Sequence, residues 1–332
     1  MLIIALGIAF GLLLQYAKVN SYNTISGMAI LEDFTVAKTI SATIGIGIIL
    51  LMLETKLGLA TYHLKPFFVG SILLGGILFG IGMAILGYCP GTMPVSIGQG
   101  SVDAMIGFIG GLAASLLYTI LSPSIHEALG PNLGKITLGF NFGNDSPMHY
   151  LIFFATAALF IGISFWLQKI AKTKDTKWLV TAFGIALITA AIFAISDRVL
   201  GASTFYPYAA DQIVGFTDNS YFQNNVEKSG FYEMKFLFGA FLAGLIPNIL
   251  KGNFKLILIH ENWLRFKGES KIKRIFWSFI GGFILLFGAR LAGGCTSGHI
   301  ISGGMQLAIS SLFFAIFVFA SFLLTGKYFY KN

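Results

Sequence analysis

Apolar residues gather into windows of roughly twenty along the whole chain, the length an α-helix needs to cross about 30 Å of hydrocarbon. The windows lie near 1 to 17, 34 to 53, 66 to 86, 102 to 121, 149 to 168, 178 to 195, 231 to 250, 273 to 293 and 305 to 325. They predict nine membrane-spanning helices. The seventh is the least uniform, since it holds Glu233, Lys235 and Pro247. Met1 to Ala17 has no basic residue before its apolar run and no small-residue cleavage pattern after it, so it reads as a retained first span rather than a secretory signal. Composition narrows the class further. Of 332 residues 56% are hydrophobic and only 11% are charged, whereas soluble domains carry about 25% charge. Disordered, collagenous and disulfide-rich secreted chains are excluded by eight prolines and two cysteines. The 40 glycines point to close helix packing or broken helices.

Charge gives the windows an orientation. Loops on the side of the N-terminus carry Lys56, Lys65, Lys135, Arg198, Lys228 and Lys235, six cations. The opposite side carries fifteen, namely Lys18, Lys38, Lys169, Lys172, Lys174, Lys177, Lys251, Lys255, Arg265, Lys267, Lys271, Lys273, Arg274, Lys327 and Lys331. The positive-inside rule puts the C-terminus in the cytoplasm and the N-terminus outside. The net charge of +8 is therefore loop charge facing lipid headgroups, and no nucleic-acid partner is implied. The seven cations from Lys251 to Arg274 suit anionic lipid or a cytoplasmic partner.

Sliding the chain against itself gives one constant offset. Gly75, Gly76, Gly82, Gly87, Cys89, Ser96 and Gly98 fall 206 positions before Gly281, Gly282, Gly288, Gly293, Cys295, Ser302 and Gly304. Both cysteines of the chain coincide. An odd number of spans between the copies makes the halves inverted, a feature of transporters whose substrate sites sit near the midplane at discontinuous helices. The expected fold is an all-α integral membrane protein with nine transmembrane helices and short re-entrant helices. An N-terminal repeat (1–121) and a C-terminal inverted repeat (178–332) are joined by a connection and linking helix (122–177). Ser122 to Met148, with Pro123, Pro131 and Pro147, reads as an external connection between the halves.

The segments LGYCPGTMPVSIGQGS (Leu86 to Ser101) and AGGCTSGHIISGG (Ala292 to Gly304) contain no Lys, Asp or Glu. They are too apolar for solvated loops and are expected to dip into the membrane, where non-helical backbone is tolerated only against protein or a water-filled cavity. Pro90 is placed as the first residue of one short helix, and Thr296 or Ser297 as the cap of the other. Free N–H groups would then lie beside each thiol, an arrangement that favours an anion. Gly91, Thr92 and Gly298 complete the two turns, and together with Cys89, Pro90, Cys295, Thr296, Ser297, His299 and Arg290 they are the expected substrate-binding or relay residues. A cysteine in a membrane helix is commonly a small packing residue; the shared GxC context at repeat-related positions favours function. A Cys89–Cys295 disulfide stays open, and a metal site has only His299 as a further ligand. His299 reads as a polar lining residue. Arg290, a cation inside an apolar span, is a functional position, either neutralising a dianion or pairing with a carbonyl or carboxylate such as Asp103. The segment Gly201 to Gln212 is a further broken helix, with Ser203 or Thr204 as its cap. No cofactor motif is present, and the chain reads as a transporter rather than an enzyme. A membrane thiol-disulfide oxidoreductase is the alternative, although no CxxC pair is present.

GYCPGT and GARLAGGCTSGH, together with the repeat, resemble the YeeE/YedE family of bacterial inner-membrane proteins over essentially the whole chain. The resemblance implies inward passage of thiosulfate through a narrow path, cysteine thiols hydrogen-bonding the ion in turn. It also implies a downstream sulfur carrier of the TusA type. Another sulfur or selenium compound would keep the mechanism and change the ion. Family members commonly carry a further cysteine after the first span, where this chain has NSYNTISGMA; Asn23 or a neighbour is the third position, and an amide can donate hydrogen bonds but is no thiol.

Overall fold

The computed structural model describes residues 1–138, 146–171, 174–196, 198–215 and 220–331, leaving aside the side chains of 126–128 and 220. Lys172 and part of the connection before Met148 lie outside them. Among the described residues there are helices and isolated bridges but no strand. All nine apolar windows are helical: α1 (Leu2–Tyr16), α3 (Thr35–Lys56), α4 (Val69–Leu86), α6 (Val102–Ala128), α7 (Pro147–Ala171), α8 (Lys177–Ser196), α11 (Glu227–Leu250), α13 (Lys271–Leu291) and α15 (Ile309–Phe329). Eight of these are long and apolar enough to cross a membrane. The exception is α1, whose 15 residues reach about 22 Å at 1.5 Å per residue, because the chain turns at Lys18 with a φ of 56°. Short helices interrupt the series: α2 (Tyr22–Ala29), α5 (Met93–Gly98), α9 (Phe205–Val214), α10 (Ser220–Asn225), α12 (Glu261–Lys267), a π-helical turn (Thr296–Ile301) and α14 (Ser302–Met305).

The packing is reciprocal. Gly75 lies against Gly288 and Gly82 against Gly281, so α4 and α13 run antiparallel. Each of these four glycines is the 206-residue counterpart of another across the contact. A Cβ on Gly82 would come within 2.3 Å of the Leu285 nitrogen; only glycine lets the two backbones approach this closely. The same reciprocity extends outward. Gly110 on α6 meets Phe279 on α13, while Gly80 on α15's neighbour α4 meets Ser321. Gly7 and Gly11 set α1 parallel to α11 at Phe236 and Ala240, and the Thr43 hydroxyl donates to the Ala182 carbonyl (3.3 Å) where α3 runs beside α8. The Thr181 hydroxyl donates to the Leu13 carbonyl (3.0 Å), with Lys177 over Tyr16, so α1 and α8 are antiparallel.

Repeat-related polar residues do matching work. Ser96 bonds the carbonyl of Asn20 just before α2 (2.8 Å), and Ser302 bonds the backbone of Leu200 a few residues before α9 (3.1 Å from its N–H). Beyond each short helix the chain is braced by a loop segment: Val102 N–H donates to Ile257 O, and Ile309 N–H to Ile136 O. The described part of the 122–148 connection is thus tied into the second cysteine segment rather than lying free.

Candidate functional site

Gly87 and Gly293 explain the GxC context. Both adopt left-handed backbone, φ 80° and 73°, which an L side chain adopts only with strain. They end α4 and α13 and turn the chain toward the cysteines two residues on. At the first turn the Thr92 hydroxyl accepts the Cys89 N–H (2.9 Å) and lies 3.4 Å from Cys89 Sγ. This local turn delays the helix, so α5 starts at Met93 with Pro94 in its first turn, and Pro90 is not the first helical residue. Pro90 instead supplies the carbonyl that accepts from the Tyr206 hydroxyl (3.0 Å). At the second turn Cys295 itself precedes the helical residues; Thr296 and Ser297 lie inside the π-turn and neither caps it. The Ser297 hydroxyl lies 3.2 Å from Cys295 Sγ. Both thiols are free, Cys295 buried and Cys89 half-buried.

Two cavities flank the second turn. The larger, about 490 Å³, is lined by Lys65, Arg198, Glu233, Arg290, Cys295 and Gly298 among others. It lies at the end of the bundle where α11 begins and α13 ends. The smaller, about 60 Å³, is lined by Cys89, Gly91, Thr92, Thr296, Ser297 and apolar residues including Ile25 and Met28 of α2. No residue lines both. Successive residues of one turn therefore face opposite cavities: Cys295 and Gly298 the larger, Thr296 and Ser297 the smaller. The Thr296 hydroxyl is buried without a hydrogen-bond partner among the described residues.

The charged groups of the larger cavity come from four separate stretches of chain. The Lys65 ammonium, on the loop between α3 and α4, donates to the Gly293 carbonyl. Loss of water around it pushes its pKa down to about 8, against the opposing pull of Cys295 and with Arg290 adding to the drop. Arg290 donates to the Thr204 hydroxyl (3.2 Å) and to the Tyr221 hydroxyl, while its Nε has no partner among the described residues. Glu233 accepts from the N–H groups of Thr204 (2.6 Å) and Phe205 (3.0 Å). Thr204 is the N-cap residue of α9, as expected, but the free N–H groups there bond the Glu233 carboxylate that α11 brings in rather than a Ser203 or Thr204 side chain. Arg198 donates to Ser229 (3.1 Å). Lys65, Glu233 and Tyr221 escaped sequence reading as site residues; a Lys in a short loop and a Glu inside an apolar window carry a signal only once the fold joins them.

Three expected residues lie elsewhere. Both ring nitrogens of His299 are engaged, Nδ1 with Ser311 (3.0 Å) and Nε2 with the Ala292 carbonyl (2.8 Å). A carbonyl can only accept, so Nε2 carries a proton; the ring ties α15 to the end of α13 and lines neither cavity. Asn23 also lines neither: its side chain bonds Glu261 (3.1 Å) and the Asn262 N–H (3.1 Å), holding α2 to α12. Asp103 does not meet Arg290. It pairs with Arg274, both side chains fully buried, and accepts from Tyr88 (3.2 Å). Arg274 and the 2% exposed Lys38, counted by sequence among the loop cations, are buried. Among the described residues no cluster of three His, Cys, Asp or Glu side chains suits a metal.

The chain is a polytopic helical bundle with a cation-rich cavity ending at a thiol. Residues 18–324 match the family described as sulphur transport, and the chain belongs to that family. It is similar to the thiosulfate transporter TsuA of Spirochaeta thermophila, 25% identical over 334 residues that cover 94% of this chain and 93% of that protein.

Proposed function

We propose that the protein carries a sulfur oxyanion, most plainly thiosulfate, inward across the cytoplasmic membrane. The ion enters the larger cavity from outside, is hydrogen-bonded by Cys295, passes the 295–298 turn and is hydrogen-bonded by Cys89 before release. The observation that carries this reading is the position of the two free thiols: repeat-related turns put them on consecutive cavities, with the cations gathered on one side. In this reading α1 is a ninth, shorter span, the segments 87–101 and 293–308 are re-entrant, and the halves 1–121 and 178–332 are inverted. Antiparallel packing of α4 on α13 and of α1 on α8 supports that symmetry. The cation count puts the larger cavity outside and leaves the Lys251 to Arg274 side for a TusA-type carrier that receives the sulfur.

The substrate's identity rests on the relative that is named a thiosulfate transporter and on the donor set. A sulfhydryl is a weak, polarizable donor, suited to a diffuse anion that must leave again. Labelled thiosulfate uptake into vesicles holding the purified protein tests the reading. Cys295→Ala and Cys89→Ala should each abolish uptake; wild-type rates in both would overturn it. Competition by sulfite, sulfate and selenite decides whether another sulfur or selenium ion is preferred.

A further inference from the structure

Glu233 has no part in the thiol relay, yet it is buried in the cavity that an anion must cross (8% exposed). A carboxylate there is costly unless it has a purpose. Its Oε2 takes both N–H groups at the start of α9, a ten-residue helix. Its Oε1 sits against Gly201, where a Cβ would come within 2.0 Å. The positive end of α9, the natural anion site of this cavity, is therefore already filled by the protein.

Arg290 presents the complementary fact. It is 4% exposed, its two terminal nitrogens are held by neutral hydroxyls, and its Nε meets no acceptor among the described residues. Among the described residues no carboxylate lies within ion-pair distance of it. Thr204 joins the two groups, its N–H donating to Glu233 and its hydroxyl accepting from Arg290. An oxyanion bound to Arg290 must therefore lie beside the N–H groups that Glu233 occupies. Among the described residues the facing charges are Lys65, Arg198 and Arg290 against Glu233, with His63 as a further titratable neighbour. Among the described lining residues, three cations less one carboxylate leave a formal charge of +2, which a divalent oxyanion neutralises and a monovalent one does not.

We infer that Glu233 is a resident counter-anion: it holds the place of the substrate in the empty cavity, competes with it for α9 and the cations, and so selects divalent ions while keeping their binding weak enough for release. The inference rests on the transport reading above. Conduction needs a site that attracts the ion without trapping it, and a fixed carboxylate against fixed cations does this without moving parts.

Steady-state uptake and equilibrium binding of labelled thiosulfate by the purified full chain test it. Glu233→Gln keeps an amide oxygen for the Thr204 and Phe205 N–H groups and removes only the charge. The expected result is a KM and Kd lower by about tenfold or more, a modest share of one unit charge at an effective dielectric constant of about 20, with turnover lowered because release becomes slow. Arg198→Gln, which changes the balance in the other direction, should raise KM without slowing turnover. A cap that merely held α9 would give lower thermal stability with unchanged KM in Glu233→Gln. That outcome, or a raised KM, overturns the inference, and if Glu233→Gln does not fold, an unchanged KM in Arg198→Gln does so. Wild-type vesicles that take up no thiosulfate would instead sink the transport reading itself.

Discussion

Neutralising Asp103 measures what holds the end of the bundle opposite the larger cavity. Arg274 enters α13 at its first turn, where the helix dipole disfavours a cation, yet it is fully buried. Its guanidinium is held by Asp103, by the carbonyls of Ile85 (3.3 Å) and Leu86 (2.9 Å), and between the rings of Tyr22 (4.3 Å) and Trp263 (4.7 Å). Asp103→Asn leaves the carbonyls and the rings but removes the only carboxylate bonded to this cation among the described residues. Breaking a buried pair costs about 3–5 kcal/mol, and the surviving carbonyl and cation–π contacts put this case at the lower end, about 3 kcal/mol. For a chain of this size that corresponds to roughly 4 °C in Tm. A thiol-reactive fluorescent dye in detergent reads it, since Cys295 is only 1% exposed and reacts when the bundle opens. Asp103→Asn/Arg274→Met, with both charges gone, should recover to within about 1 kcal/mol of wild type. A single variant as stable as wild type, or a double variant no better than the single, would refute the claim that the pair's charge balance holds this end.

Four further outcomes follow from the geometry. Lys65 is charged below about pH 8 and loses its charge as pH rises through that value, so the KM for thiosulfate should climb between pH 7 and 9 in wild type and stay flat in Lys65→Arg; identical profiles would remove Lys65 from the anion's path. His299→Ala should cost about 1–3 kcal/mol, through the unpaired Ala292 carbonyl and Ser311 hydroxyl, with KM unchanged in the folded fraction; a changed KM would return His299 to the site. Gly82→Leu should yield no monodisperse protein by size-exclusion chromatography, because its Cβ alone meets the Leu285 backbone; a well-folded variant would mean that α4 and α13 can part. Met28→Cys should put a thiol on the smaller cavity that thiosulfate protects from alkylation, whereas Asn23→Cys should show no such protection; the reverse pattern would move the third position back to Asn23.

The features legible in the sequence are those set by local pattern. Each of the nine hydrophobic windows marked a helix, eight of them long and apolar enough to cross a membrane, because burial in lipid demands a continuous apolar run whatever the neighbours are. The 206-residue offset marked the glycines and serines that later proved reciprocal, because a close backbone approach or a bracing hydroxyl needs the same residue in both copies. Helix starts at the cysteine turns were misjudged for a local reason as well: Thr92 folds back on Cys89 and postpones α5, a competition between side-chain and helical hydrogen bonds that spacing does not reveal.

Charge pairing was not legible, and the reason is physical. Asp103 and Arg290 were the natural partners by sequence, one carboxylate and one cation near the cysteine segments. The fold pairs Asp103 with Arg274 at one end and leaves Arg290 facing Glu233 across α9 at the other. Which ions meet depends on helix direction: α6 runs parallel to α13, so its first turn lies beside the first turn of α13, where Arg274 is, and its later turns lie beside Arg290, where Tyr118 rather than an acid is found. The same register that satisfies Arg274 therefore deprives Arg290 of Asp103 and leaves its charge for an anion to answer. One buried cation is closed by a carboxylate and another is held only by hydroxyls among the described residues, so the two ends of the bundle differ in charge balance although the same helix pair, α6 and α13, builds both.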